Sequence, residues 1–243
     1  MDDLSFLMIN TMISMSVPGI ASMISGVLIN LIYFDILYTE KWFPDFMESI
    51  KFVVNTDDHP INVYFDQNGF QSLLIIKNLG STLFFIIFYL IAWILLLILK
   101  IASIFIEQVN YVVKKLETTL MWNGTISMLM SQFTPMIISS LINLYGLKWD
   151  TNIFFYSSAL SIGLLALNGV MILFFSLILL KAYFDLEWTN SEEFKSKYSV
   201  LIDGLRLDTM KYRFLVLFWK PLNLLRWLST ILALVFMRDY PGN

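Results

Sequence analysis

Few residues in this chain could do chemistry, and most of those stand apart from any partner. The single histidine, His59, lies in Asp57-Asp58-His59-Pro60. A calcium loop needs regularly alternating oxygen ligands, a glycine and a closing glutamate, and that pattern is absent, so the run reads as a solvated turn. The chain has no cysteine, which excludes disulfides, thiolate metal sites and cysteine nucleophiles. Hydrolysis within a membrane requires an aspartate pair, a serine with a general base, or a histidine metal motif. No apolar stretch offers one, and Asp203-Gly204, the nearest acidic candidate, has no partner in a span. No catalytic, cofactor-binding or metal-binding residue is assigned, and the expectation is a protein that is not an enzyme. No acidic residue falls near the middle of an apolar stretch either, which speaks against proton-coupled transport.

What remains is polar and uncharged. One apolar run carries Ser127, Ser131, Gln132, Thr134, Pro135, Ser139, Ser140 and Asn143, and the next carries Ser157, Ser161, Asn168, Gly169 and Ser176. At helical spacing Ser127, Ser131, Thr134 and Pro135 share one face, and Gln132, Ser139 and Asn143 more loosely another. Such groups either hydrogen-bond between packed helices or line a polar cavity or pore; packing is the preferred reading. Arg226 is a cation set about one turn inside the last span. With Trp219 and Trp227 close by, it reads as a side chain that snorkels to the interface.

These residues need apolar elements to hold them. At 58% hydrophobic and 14% charged, with a mean hydropathy of +0.71, the chain has more apolar surface than a soluble core can hide; a soluble domain is about 25% charged. The fold class expected is all-α, a polytopic transmembrane helix bundle. Leu83–Leu99 contains no charge, glycine or proline and, with its flanks, is long enough to cross a hydrocarbon core of about 30 Å. Its uniformly large side chains suit a lipid-facing position. Five spans are expected at about residues 6–34, 80–106, 126–145, 153–180 and 221–237, all in one transmembrane domain over 1–243. The first is interrupted by Pro18 and by small residues such as Ser14, Ser22 and Ser25, a kinked packing face. Met1-Asp2-Asp3 is acidic, whereas a signal peptide starts basic, so this segment is expected to be retained.

Between the spans the chain changes character. Residues 35–78 form an acidic loop with interleaved Trp42, Phe43, Phe46, Tyr64, Phe65 and Phe70, aromatic residues suited to the membrane interface. Glu107 to Asn123, with Lys114 and Lys115, reads as an interfacial connector, and Asn123-Gly124-Thr125 as a glycosylation sequon expected to be unused. Thr189-Asn190-Ser191 ahead of Glu192 and Glu193 signals a helix start. Phe194, Tyr198, Leu201 and Leu205 then recur on one stripe, giving a basic amphipathic interfacial helix over 190–213. Counting lysine and arginine by side puts about twice as many with the N-terminus, the connector and this helix, which makes that side cytosolic.

The loop carries a resemblance. Phe34-Asp35-Ile36-Leu37 with Thr39-Glu40, Pro60-Ile61-Asn62, Tyr64-Phe65, Asn68-Gly69-Phe70 with Ser72, and Lys77-Asn78-Leu79-Gly80-Ser81-Thr82, followed by an apolar helix and the basic Lys197-Tyr198 to Arg213 segment, resemble the C-terminal multi-pass region of large ciliate surface proteins. The loop motif is the specific part; the spans match mainly in pattern. In that family the region follows a large ectodomain, often cysteine-rich or built of repeats, and the resemblance implies one more span ahead of Met1. The Arg226 segment is distantly similar to transient-receptor-potential-like channel regions.

The function expected is a non-enzymatic integral membrane module, anchoring or receptor-like, of a ciliate-type surface protein. One alternative is a channel or transport subunit with a pore lined by the polar faces of the third and fourth spans; another is a subunit of an organellar membrane complex. The partners expected are the lipid bilayer and a second copy or an ectodomain-bearing partner. The net charge of −3 gives no reason to expect nucleic acid, and no cofactor is implied. The location expected is the plasma membrane, with an organellar membrane as the alternative.

Overall fold

The computed structural model describes residues 60–61, 65–66, 68–147, 149, 152–205 and 213–236. The expected first span at 6–34 and most of the acidic loop, Asp57 to His59 included, lie outside the described residues. The described chain is helical, with no strand. In order its elements are α1 (Ile75–Asn78), α2 (Gly80–Ala102), α3 (Glu107–Leu116), the π-helix π1 (Glu117–Gly124), α4 (Thr125–Tyr145), α5 (Asn152–Phe184), α6 (Leu186–Asn190), α7 (Glu192–Ile202), α8 (Arg213–Leu217) and α9 (Trp219–Phe236).

Three stretches are long and apolar enough to cross a membrane: Thr82–Ala102, Glu107–Tyr145 and Asn152–Phe184. They mark the chain as a membrane protein. Helix α2 is exposed along most of its length, Phe88 and Leu97 among the most open, as its unbroken run of large apolar side chains predicts. It stops at Ala102, short of the expected 106; the Ser103 hydroxyl donates to Lys100 O at 2.7 Å, and Ile106, extended at φ −129°, is the residue from which α3 starts. The second stretch holds a difference from expectation. The connector is no separate element: α3, π1 and α4 run on as 39 residues of continuous helix, more than about 50 Å at the usual helical rise.

Helix α9 covers the expected span at 221–237 but is not among the three, since Lys220, Asn223 and Arg226 crowd its first half. The amphipathic helix expected over 190–213 is interrupted. Its start is as expected, with the Ser191 hydroxyl accepting from Phe194 N–H, but α7 ends at Ile202. Asp203 is extended and Gly204 has φ +78°, a left-handed conformation that only glycine takes at little cost. The Asp203-Gly204 pair is thus the stop of the helix, not a part of it.

The described chain divides into two compact units. The first comprises the described residues up to Leu83, Thr134–Asn168 and the residues from Arg226 on; the second comprises Phe84–Phe133 and Gly169–Leu225. In the first, Ile75, Ile76, Leu79 and Met136 form a buried cluster against which Leu83 and Leu164 pack. A Cβ on Gly146 would lie 3.1 Å from Leu73 Cδ1, so a larger residue there would require the Leu73 side chain to shift by a few tenths of an ångström. From Gln132 to Asn143 every residue of α4 is buried, polar ones included, so this half of the helix is covered on all sides. Helix α5 buries one side, Ser157, Ser158, Ser161 and Asn168 in its first half and Met171, Ile172, Phe175, Ile178, Leu179 and Ala182 in its second, at helical spacing. Its polar members fall in the first unit and its apolar ones in the second.

Exposure on α2 is measurable through insertion. Replacing Ile91, exposed at mid-helix, with arginine places a charge where it costs about 2.5–3.5 kcal/mol. A glycosylation-mapping assay of α2 should show a marked drop in the inserted fraction, while Ile91→Val leaves it unchanged.

Candidate functional site

The first unit contains a seam of buried polar groups centred on Asn143. Its Nδ2 donates to Leu73 O and to Ser157 Oγ, each at 2.9 Å, and its Oδ1 accepts from the Ser161 hydroxyl at 2.7 Å. Ser157 Oγ also accepts from Ile75 N–H at 3.0 Å. That donor is one of the unpaired amides of a helix first turn, and Leu74 before it offers no side-chain cap. Ser157, 82 positions away, supplies the missing acceptor. The segment leading into α1 is closed on itself: Asn78 Nδ2 donates to Ser72 O at 2.6 Å, Ser72 N–H to Asn78 Oδ1 at 3.2 Å, and Leu74 N–H to Ser72 Oγ at 2.9 Å. Just ahead, Asn68-Gly69 makes the turn, with Gly69 at φ +85° and Phe70 N–H donating to Phe65 O at 2.9 Å.

The polar residues singled out in the sequence divide. Asn143, Ser139, Asn168 and Gln132 are buried. Ser127 and Ser131 are exposed, and the Ser131 hydroxyl turns back to Met128 O at 2.8 Å. The face drawn through Ser127, Ser131, Thr134 and Pro135 therefore does not hold together, because α4 passes from partly exposed to fully buried at Gln132. A Cβ on Gly163 or Gly169 would meet nothing within 4 Å, so neither glycine is there to admit a close neighbour. Among the described residues of the first unit, four buried polar atoms have no hydrogen-bond partner: Thr134 Oγ1, Ser139 Oγ, Asn168 Oδ1 and Trp227 Nε1. Arg226 is exposed.

The second unit holds a different arrangement, a clasp between π1 and α7. Asn123 Nδ2 donates to Ser196 O at 2.7 Å while its Oδ1 accepts from Val200 N–H at 3.4 Å. Beside it Trp122 meets Tyr198 edge-on at 5.6 Å, and Tyr198, Phe194 and Trp188 pack together with centroids 4.8–6.0 Å apart. Two cations lie over the tryptophans: Lys197 Nζ is 5.6 Å from the Trp122 ring and Lys181 Nζ 4.2 Å from Trp188. Lys197 also pairs with Glu193 at 2.7 Å. That hydrogen bond holds the Glu193 carboxyl below its usual range and the Lys197 amine above. Tryptophan and lysine together suit the zone between hydrocarbon and water.

Family models, curated proteins and solved structures all yield no match to this chain.

The seam joins α4, α5 and the segment before α1 through amide and hydroxyl groups. The clasp positions two ammonium groups that are already engaged. Sequence reasoning missed Tyr89 and the role of Asn123; the loop motif was a usable signal, since its Asn68-Gly69, Ser72 and Asn78 turn out to shape the segment before α2.

Loss of Asn143 should be costly. Asn143→Ala removes three hydrogen bonds, to Leu73 O and to the Ser157 and Ser161 hydroxyls, and should lower stability by about 2 kcal/mol, given about 0.6 kcal/mol for an average interhelical bond. Asn143→Asp should lower it too, since a carboxyl lacks the two amide donors. Ser131→Ala should stay within about 0.5 kcal/mol of the parent; denaturation in mixed micelles gives all three values. The Asn123 amide is engaged with α7, so the sequon should stay unmodified and endoglycosidase treatment should cause no shift in mobility.

Proposed function

We propose that the chain is a non-enzymatic, multi-pass integral membrane module that anchors a surface assembly, receptor-like in organisation. The observation that carries this reading is the use of the Asn143 amide: among the described residues it bonds to Leu73, Ser157 and Ser161 of the same chain. Polar groups consumed in this way act as interhelical glue. The long exposed face of α2, from Ile87 to Ile101, suits contact with acyl chains. In this reading five crossings are completed by residues 6–34 and by α9, whose Lys220 and Arg226 reach for the headgroups past Trp219. Helix α7 then lies along the cytosolic leaflet with Lys195 and Lys197 near anionic lipid. The resemblance of the loop motif to ciliate surface proteins supports the plasma membrane as the location and an ectodomain as the assembly held.

A second reading is favoured by one observation. The four unpartnered buried atoms at Thr134, Ser139, Asn168 and Trp227 are what a polar path through a subunit of an oligomeric channel would present, because such groups are expected to meet water or a permeant species.

Planar-bilayer recording on the purified chain separates the two. The anchor reading expects no current above background across voltages and salts, and no change with Gln132→Leu beyond reduced folding yield. A reproducible single-channel conductance whose selectivity changes with Gln132→Leu establishes the channel instead.

A further inference from the structure

The junction of α3 and α4 is π-helical for eight residues, Glu117–Gly124. Most π-helical geometry occurs as single-turn bulges, and it survives where other contacts compensate for its poorer packing. Here the compensation comes from side chains that serve the carbonyls of π1. The Tyr89 hydroxyl of α2 donates to Leu120 O and lies 3.1 Å from Thr125 Oγ1. Thr125 Oγ1 in turn lies 2.6 Å from Met121 O and 3.2 Å from Leu120 O. Lys100 of α2 pairs with Glu117 at 2.9 Å.

Gly124 closes the segment under a specific constraint. A Cβ there would stand 2.9 Å from Thr119 O and 2.8 Å from Tyr89 Oη. The tyrosine end could move, but the carbonyl belongs to the backbone five residues earlier, and its approach follows from the wider π turn. In an α-helix that carbonyl would be out of reach, and alanine would be favoured over glycine by about 1 kcal/mol. The absence of a side chain at position 124 therefore permits the π form and weakens the competing α form.

We propose that π1 is a register switch, exchanging between the π form and an α-helical form displaced by one residue, and that the α form releases α7. Each contact between π1 and α7 depends on register. A one-residue shift turns a helical side chain through about 100°. That rotation takes Asn123 off Ser196 O and Val200 N–H, Trp122 off Tyr198 and Lys197, and Glu117 off Lys100. What then holds α7 is its hydroxyl cap at Ser191 and its packing on α6, so losing the clasp frees a helix carrying Lys195 and Lys197. Tyr89 and Lys100 are the latch, and both sit on α2, so displacement of α2 is what would throw the switch.

The absence of native cysteine makes the test direct. Spin labels at Asn110→Cys and Ser131→Cys, both exposed positions on either side of π1, are measured by double electron–electron resonance in the full chain in lipid nanodiscs. The parent should give one dominant distance. Gly124→Ala should transfer most of the population to a second distance several ångströms away, and Tyr89→Phe should do so in part. Amide exchange over Glu192–Ile202 should accelerate by at least about tenfold in Gly124→Ala. The proposal is overturned if both variants keep the parent distance, or if exchange rises with no second distance, which would mean α7 loosens without a change of register. Should Gly124→Ala fail to fold, Tyr89→Phe decides by the same two readouts.

Discussion

In an apolar surrounding each polar group must find a partner inside the protein, and the Asn143 amide is where this chain meets that requirement. Its two donors and one acceptor bring together the segment at Leu73, helix α4 and helix α5. Ser157, oriented by the same amide, provides the acceptor that the start of α1 lacks. The backbone from Leu73 to Ile75 is thereby paired with side chains of α4 and α5, Leu73 O with Asn143 and Ile75 N–H with Ser157. The buried cluster of Ile75, Ile76, Leu79 and Met136 can form because these polar neighbours are already satisfied.

The second unit solves a related problem by another route. In it the change of helical type at Glu117–Gly124 falls where aromatic and cationic side chains collect. Trp122, Trp188 and Tyr198 give α7 a seat that is apolar on one side, and Lys181 and Lys197 cover the rings from the other. The amide of Asn123 adds direction to a contact that ring packing alone would leave free to slide. Local backbone geometry and tertiary contact are therefore linked: the π turn presents Asn123 and Trp122 to α7, and Tyr89 with Thr125 serves the carbonyls that the turn leaves open.

The loop motif acquires a physical account from these contacts. Asn68-Gly69 turns the chain with Gly69 at φ +85°, and Ser72 and Asn78 close a ring of hydrogen bonds that fixes the approach to α2. Few residue types can fill such positions: glycine for a positive φ, and a short amide or hydroxyl for a bond to the nearby backbone.

Sequence alone determined the all-helical, membrane-embedded class and three of the apolar helices to within a few residues, because a run such as Leu83–Leu99 has no other low-energy state in or near a bilayer. It also determined the start of α7, since Ser191 ahead of two glutamates is a local signal read by backbone a few positions away. Which polar residues matter was decided by tertiary structure. Ser131 and Asn143 look alike as polar points on one helix, yet one is exposed and bonds to its own backbone while the other joins three elements. The π turn was equally invisible, since it exists through Tyr89, Lys100 and α7, contacts between residues distant in the chain. The end of α7 was missed for a local reason, the freedom of Gly204 to adopt a left-handed conformation that an otherwise good amphipathic stripe obscures. Periodicity shows which face of a helix is apolar; only the folded chain shows what stands opposite that face.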